Sequence, residues 1–152
     1  MVKQAIKTQS IVPRIDGIQK DIAKLKKLGE LSPEEFGIED NFIKAQFYLR
    51  RALEGVFHIA THILSRIPGE RATEYKSIAL KMGDAGIVNK SFAENELKSM
   101  AGYRNRLTHF YADIMPEEIY RIIREDVDDC NTFLVAIKEL LLNPDKYNLV
   151  VE

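Results

Sequence analysis

The sequence lacks the features that mark secreted, membrane-spanning or strongly basic proteins. Its 152 residues contain a single cysteine, Cys130, so no internal disulfide can form and a reducing compartment is expected. No stretch reaches the roughly 20 apolar residues that span a bilayer, and the first residues have no signal-peptide core. Lys and Arg total 22 against 23 Asp and Glu, which excludes a surface coated with positive charge. These absences predict a soluble, cytoplasmic protein.

What the sequence does contain is typical of a helical globular protein. Hydrophobic residues make up 45% and charged residues 30%, and the length suits one domain over residues 1–152. Apolar residues recur at three- and four-residue steps, and no stretch shows a convincing period-two alternation. This periodicity predicts an all-α fold, an antiparallel bundle of four long helices and one short helix. Cys130 lies among the apolar positions of one helix and is predicted to be a buried thiol.

The ends of the predicted helices carry their own signals. Ser32 and the proline after it predict a short capped turn, and Ser91 with Glu94 matches a capping box. Pro13 and Pro116 suit the first position of a helix. The predicted helices cover 13–29, about 40–67, 72–82, 91 into the segment 99–111, and 116–142. The apolar stripe of the second includes Ile43 and Phe47, and the predicted inward face of the fourth consists of Leu97, Met100 and Leu107. The apolar tail at 149–151 is too short to predict a strand.

The segment from Ser99 to Tyr111 gathers more groups able to bind phosphate or move protons than any other. It holds two arginines, an amide, a histidine and two tyrosines at the end of a predicted helix. A structural explanation also exists, because cations near a helix C-terminus oppose the negative end of its dipole. Residue chemistry alone leaves both interpretations open.

The residues from Met100 to Tyr111 resemble the ribonuclease motif of the minimal HEPN proteins of the HepT type. That motif is an arginine, four residues, a histidine, any residue and a tyrosine, and Arg104, His109 and Tyr111 occupy its three positions. The resemblance extends to other segments of the chain, namely residues 31–36, 58–63 and 84–88. It therefore covers about 13–142, with 1–12 and 145–152 as flanking segments.

The resemblance implies a toxin of a type VII toxin–antitoxin pair, a metal-independent endoribonuclease that needs no cofactor. Its partner would be a small MNT-type nucleotidyltransferase that silences the toxin by transferring AMP from ATP to the motif tyrosine, here Tyr111. Family members resemble one another in forming homodimers whose two motifs meet across a cleft. The expected substrate is RNA.

The motif residues suit this chemistry. Cleaving RNA without a metal requires a proton to leave the 2′-hydroxyl and another to reach the departing 5′-oxygen, and histidine exchanges protons near neutrality. His109 is therefore the predicted acid–base group, and Arg104 the predicted phosphate ligand, because arginine offers a fixed fork of donors. On an unbroken helix the two lie about 140° apart. They converge on one phosphate only if the helix ends near Thr108 or if a second chain supplies the other group.

Four further residues are candidates for supporting roles. Asn105 could bind phosphate, orient the histidine or hold the turn, and Arg106 is predicted to contact the RNA backbone. His58 and His62 lie four residues apart and so share a helix face, where they either line a helix interface or serve as a pair of metal ligands. No further metal-ligand pattern accompanies them.

The segment 58–63 departs from the usual family pattern. The family commonly reads Asp-Ile-Ala-Asn-His there, whereas this chain has His58 and Thr61 in place of the acid and the amide and retains His62. This departure motivates an alternative function, a non-catalytic HEPN module that docks with a nucleotidyltransferase or a nucleotide. Cleavage of RNA by the purified protein distinguishes the two.

Overall fold

Helices make up most of the chain, and two short strands join its ends. The computed structural model describes residues 2–69 and 72–152, and the side chain of Tyr111 lies outside this description. The α-helices are α1 (Thr8–Gly29), α2 (Pro33–Phe36), α3 (Asn41–Leu64), α4 (Tyr75–Asp84), α5 (Lys90–Phe92), α6 (Lys98–His109), α7 (Pro116–Glu125) and α8 (Asp128–Leu142). The predominantly helical class predicted from the periodicity is confirmed.

Helices α1 and α3 form the most extensive helix pair. Buried isoleucines of α1, among them Ile18, pack against α3. A Cβ atom at Gly55 of α3 would lie 2.8 Å from Ile18 Cγ1, so glycine permits the close approach of the two helices. Asp21 of α1 is 1% exposed, and Arg51 of α3 donates to its two carboxylate oxygens at 2.6 to 3.2 Å. This paired charge was not visible in the periodicity of either helix.

Helix α6 is the end of a longer helical run. Helix α5 continues through a π-helical segment, Ala93–Leu97, into α6 without a break. Asn89 caps the run, since its Oδ1 accepts from the backbone N–H of Ser91 at 2.9 Å. The predicted capping box of Ser91 and Glu94 is therefore wrong: the helix begins earlier, at an asparagine, which caps as well as serine does.

The capped turn predicted after α1 is confirmed. Ser32 Oγ accepts from the Glu35 backbone N–H at 3.1 Å, and Glu35 Oε1 accepts from the Ser32 N–H at 3.0 Å. The reciprocal bonds satisfy donors that α2 would otherwise leave unpaired. Hydrogen bonds to the Glu35 carboxyl from the backbone and the side chain of Ser32 hold the pKa of that carboxyl below its ordinary value.

Two predicted helix boundaries are wrong. Helix α1 begins at Thr8 and contains Pro13, because Ile11 is fully buried and its packing outweighs the hydrogen bond that proline forfeits. The predicted helix over 116–142 is two helices, α7 and α8, which meet at Asp126 and Val127. Aspartates are poor interior residues and good helix starters, which explains a break in this acidic stretch.

The two ends of the chain pair as strands. Strand β1 (Gln4–Ile6) lies parallel to β2 (Leu149–Val151), so the expectation that the tail is too short for a strand is wrong. Ile6 is fully buried and Leu149 is 1% exposed, so each strand of this short pair contributes an apolar side chain to the core. The pattern of residues near one end of the chain cannot predict this pairing, because the partner strand lies at the other end.

The core contains most, but not all, of the residues predicted for it. Cys130 is 2% exposed, as predicted, and burial raises the pKa of its thiol to about 12. Ile43 and Phe47, predicted to belong to the core stripe of α3, are instead 63% and 45% exposed. Within residues 2–69 and 72–152, no helix combines the length and the apolar character needed to cross a bilayer.

Candidate active site

The motif lies in the last turns of α6. Leu97, Met100 and Leu107 are buried and fix this helical run on the core, as predicted for its inward face. The helix ends at His109: the Phe110 N–H donates to the Arg106 carbonyl at 2.8 Å, and Phe110 leaves the helical conformation at φ −130°. A 3₁₀ turn, Tyr111–Asp113, then leads toward α7.

Arg104 lies in a cleft against α3 and α4. Its guanidinium Cζ is 4.2 Å from the centre of the Tyr75 ring, and its Nη2 is 4.0 Å from Glu54 Oε1. The side chain is 15% exposed. Its Nε atom is buried without a hydrogen-bond partner, a condition shared with Thr108 Oγ1 and no other side-chain atom in the described part of the chain.

The cleft around Arg104 has a volume of about 330 Å³ and is open to solvent. Its lining residues, which define the Arg104 cleft, are Glu54, Phe57, His58, Thr61, Tyr75 and Arg104. The structure thus brings together Arg104 and both positions at which the segment 58–63 departs from the family pattern. His58 is an exposed residue of this cleft.

His109 does not line the Arg104 cleft. It is exposed at the end of α6, and its ring meets the neighbouring Phe110 ring edge-on at 6.4 Å. Because α6 remains helical through His109, the side chains of Arg104 and His109 leave the helix about 140° apart. A single chain therefore presents the phosphate-binding and proton-transferring candidates on different sides of the helix.

Arg106 is engaged with α7. Its guanidinium donates to both oxygens of Glu118, at 2.6 and 2.9 Å. Hydrogen bonding to Glu118 raises the pKa of Arg106, and hydrogen bonding to Arg106 lowers the pKa of Glu118. The predicted RNA contact of Arg106 stays a prediction, and the structure shows a bidentate ion pair at this position.

The remaining candidates are dispersed. Asn105 is half-buried on α6, and its role stays a prediction. His62 is half-buried, and its Nε2 accepts from the Lys7 backbone N–H at 3.2 Å. Burial lowers the pKa of His62, and the nearby Arg66 and Arg14 lower it further. Tyr111 has a described backbone in the 3₁₀ turn, but its side chain lies outside the described part of the structure.

His58 and His62 do not share an environment despite their spacing. His58 faces the Arg104 cleft, whereas His62 is bonded to the backbone that leads into α1. Among the described residues, no group of three or more His, Cys, Asp or Glu side chains could hold a metal ion. The arrangement matches two separate polar residues on the helix surface.

Sequence reasoning missed two residues of the cleft, Tyr75 and Glu54. Tyr75 is the first residue of α4 and lies 29 positions from Arg104, so no local pattern joins them. Glu54 lies four residues before His58 on α3, and this helical spacing was the one signal that placed it on the same face.

Comparison with known proteins yields a family and a relative. The sequence model of the family described as "Ribonuclease HepT-like" matches residues 18–137. A curated relative, "tRNA nuclease HepT" of Aphanizomenon flos-aquae (strain 2012/KM1/D3), is 24% identical over 141 residues, which cover 91% of this chain and 94% of the relative. The match extends well beyond the motif to most of both chains.

Proposed function

The chain belongs to the HepT-like ribonuclease family and is an endoribonuclease; from this premise we propose that it is the toxin of a HEPN/MNT toxin–antitoxin system. In this proposal residues 1–152 form one HEPN-like domain. Arg104 binds and stabilises the scissile phosphate, and His109 exchanges the protons of a cleavage reaction that uses no bound metal. Asn105, His58 and His62 act as supporting residues.

The observation that carries the role of Arg104 is the contrast with Arg106. Glu118 accepts from Arg106 at 2.6 and 2.9 Å, whereas the Glu54 oxygen near Arg104 is 4.0 Å away. Arg104 also lines an open cleft. An arginine that is not neutralised by a close carboxylate keeps its donors for an oxyanion, and a planar fork suits phosphate.

The role of His109 follows from its exposure and its chemistry. The side chain is exposed at a helix end, where an incoming substrate can reach it. Histidine titrates near neutral pH, so it can remove the proton of a 2′-hydroxyl and return one to the leaving 5′-oxygen. Between these two transfers the 2′-oxygen forms a bond to phosphorus while the bond from phosphorus to the 5′-oxygen breaks, and Arg104 stabilises the charge on the phosphate; the products are a 2′,3′-cyclic phosphate and a 5′-hydroxyl.

A homodimer accounts for the separation of the two groups. Arg104 and His109 face about 140° apart on one helix, so a second chain brings His109 of one protomer to Arg104 of the other. Exposed apolar side chains lie near this end of α6: Phe110 is 59% exposed, and Phe47 and Ile43 of α3 share a surface depression with Thr108. Apolar exposure of this kind marks interaction surfaces.

Control by AMP is proposed for Tyr111. The residue occupies the motif position in the turn immediately after α6. An MNT-type nucleotidyltransferase would transfer AMP from ATP to the Tyr111 hydroxyl and release pyrophosphate, which puts a charged group on the motif residue two positions after His109. Incubation with such a partner and ATP is expected to add the mass of one AMP per chain, and Tyr111→Phe is expected to abolish the increase in intact mass.

The proposed substrate class is tRNA, after the printed name of the curated relative. The test is cleavage of total tRNA by the purified protein in the presence of EDTA. Wild-type protein is expected to cleave, and His109→Ala and Arg104→Ala are each expected to lower the rate by about 100-fold or more. Wild-type rates in both variants would refute the assignment of the site.

A further inference from the structure

Arg104 is held by an aromatic ring and not by a close carboxylate. Its guanidinium Cζ is 4.2 Å from the centre of the Tyr75 ring, within the range of an attractive cation–π contact. The ring itself is fixed, since it meets the buried Phe57 ring edge-on at 5.3 Å. The guanidinium of Arg104 therefore lies against a ring that is itself packed on the core.

This arrangement orients the guanidinium without neutralising it. A carboxylate partner would occupy the donors, as Glu118 does for Arg106 at 2.6 and 2.9 Å. An aromatic face attracts the cation while carrying no net charge and accepting none of its in-plane hydrogen bonds. The terminal donors of Arg104 therefore stay available in the cleft.

The unbonded Nε of Arg104 supports this interpretation. The atom is buried without a hydrogen-bond partner, although a buried guanidinium nitrogen normally has one. Within residues 2–69 and 72–152 this side chain makes no hydrogen bond, so the contact with the Tyr75 ring is the close interaction that remains to it. Glu54, 4.0 Å from Nη2, is too distant for a hydrogen bond and provides only a nearby negative charge.

We propose that Tyr75 is a positioning residue of the ribonuclease site, whose ring presents the guanidinium plane of Arg104 to the RNA phosphate. When RNA binds, the phosphate replaces Glu54 as the nearest anion. This inference rests on the proposed role of Arg104 in cleavage. Its physical basis is that a displacement of about 1 Å in a positioning group can lower a rate by on the order of 100-fold.

The test uses the full-length protein, total tRNA as the probe, and two substitutions of Tyr75, one that removes the aromatic face and one that keeps it. Tyr75→Leu removes the aromatic face, and kcat is expected to fall by about 10- to 100-fold while KM changes by less than about threefold, because orientation matters most for the charge of the transition state. Tyr75→Phe keeps the face and is expected to stay within about threefold of the wild-type kcat.

Tyr48→Leu is the matched control. Tyr48 is a half-buried residue of α3 whose ring lies 5.1 Å from Lys24 Nζ and 5.8 Å from the Arg51 guanidinium, so its loss also removes cation–π contacts. It does not line the Arg104 cleft. Its kcat is expected to equal that of the wild type, and an equal loss in Tyr48→Leu and Tyr75→Leu would overturn the proposal.

Coupling to Arg104 provides the second readout. In an Arg104→Lys background, Tyr75→Leu is expected to lower kcat by less than about threefold, because an ammonium group has no plane for the ring to orient. The full 10- to 100-fold loss in that background would overturn the positioning role. A wild-type kcat in Tyr75→Leu, alongside inactive Arg104→Ala and His109→Ala, would refute this inference alone; active Arg104→Ala and His109→Ala would refute the proposed function.

Discussion

At the scale of single residues, the carboxyl groups of Asp128 and Asp129 are neighbours in the sequence but have pKa values shifted in opposite directions. Both lie in the first turn of α8, where the helix dipole acts on each. Burial, with Asp126, Glu96 and Asp128 nearby, raises the pKa of Asp129 to about 6. Hydrogen bonds from Lys26 and Asn131 lower the pKa of Asp128. The difference in pKa arises because Asp129 is partly buried near other carboxylates, whereas Asp128 accepts hydrogen bonds.

We predict that Asp129→Asn stabilises the protein above pH 6. Because the folded-state pKa of Asp129 lies above its unfolded value, the folded state binds more protons between those two values, and the stability contributed by Asp129 is lost as pH rises through that window. Near pH 7.5, after allowance for its partial exposure, removing the charge is expected to gain about 1 kcal/mol in the free energy of unfolding. Urea denaturation near pH 4.5 and near pH 7.5 measures it.

Asp128→Asn is the control, with the opposite sign. Its folded-state pKa is lowered, so the stability it contributes is present above its unfolded pKa and is lost as pH falls. Because pH 7.5 and pH 4.5 both lie above the unfolded pKa of an aspartate, its substitution is expected to destabilise the protein by a similar amount at both, and by less only near pH 3. Equal changes at pH 4.5 and pH 7.5 in Asp129→Asn, or a loss in Asp128→Asn that is confined to pH 7.5, would contradict the assigned environments.

At the scale of elements, the pairing of β1 with β2 joins the ends of the chain to the helices. Glu152 N–H donates to the Ile6 carbonyl at 2.9 Å, and Thr8 N–H donates to the Glu152 carbonyl at 2.8 Å. Arg66 of the segment after α3 donates to the Ala5 carbonyl at 3.1 Å. A pair this short depends on the side chains that it buries.

We predict that Leu149→Ala destabilises the protein and that Val150→Ala does not. Leu149 is 1% exposed, and its truncation is expected to cost about 2 to 4 kcal/mol because it leaves a cavity in the core. Val150, on the same strand, is 37% exposed, and its truncation is expected to cost less than about 0.5 kcal/mol. Denaturant unfolding compares the two; similar losses would show that backbone pairing, and not burial, holds the strand.

At the scale of the whole molecule, the proposed site is divided between two copies of the chain. One α6 directs Arg104 and His109 to sides about 140° apart. A two-fold axis that passes between two such helices can bring the histidine of each protomer to the arginine of the other.

We predict complementation between two inactive variants. In a heterodimer of Arg104→Ala with His109→Ala, one composite site retains both native residues and the other retains neither. Because random pairing makes half of the dimers mixed, the coexpressed variants are expected to recover about one quarter of the wild-type rate. Size-exclusion chromatography with light scattering checks the dimer, and a mixture no more active than either variant alone would refute the shared site.

The sequence by itself determined the helical class, the capped turn at Ser32, the inward face of α6 and the motif residues. Each of these depends on residues within one or two helical turns, and hydrophobic period, caps and motif spacing are all local. The sequence therefore predicted that the candidate residues lie at the end of one helix, but it did not predict which residues surround them.

Only the tertiary structure decided what surrounds those residues. The ring of Tyr75 packs on the guanidinium of Arg104, and Glu118 accepts hydrogen bonds from Arg106. Residues 149–151 pair with residues 4–6. Each contact joins residues that are at least 12 positions apart in the sequence. Because Ile11 is buried, α1 begins at Thr8, five residues before Pro13, although the local preference of proline predicted that the helix starts at Pro13. Long-range contacts such as these have no periodic signature in the sequence, because which segments meet is set by how all the apolar faces pack at once.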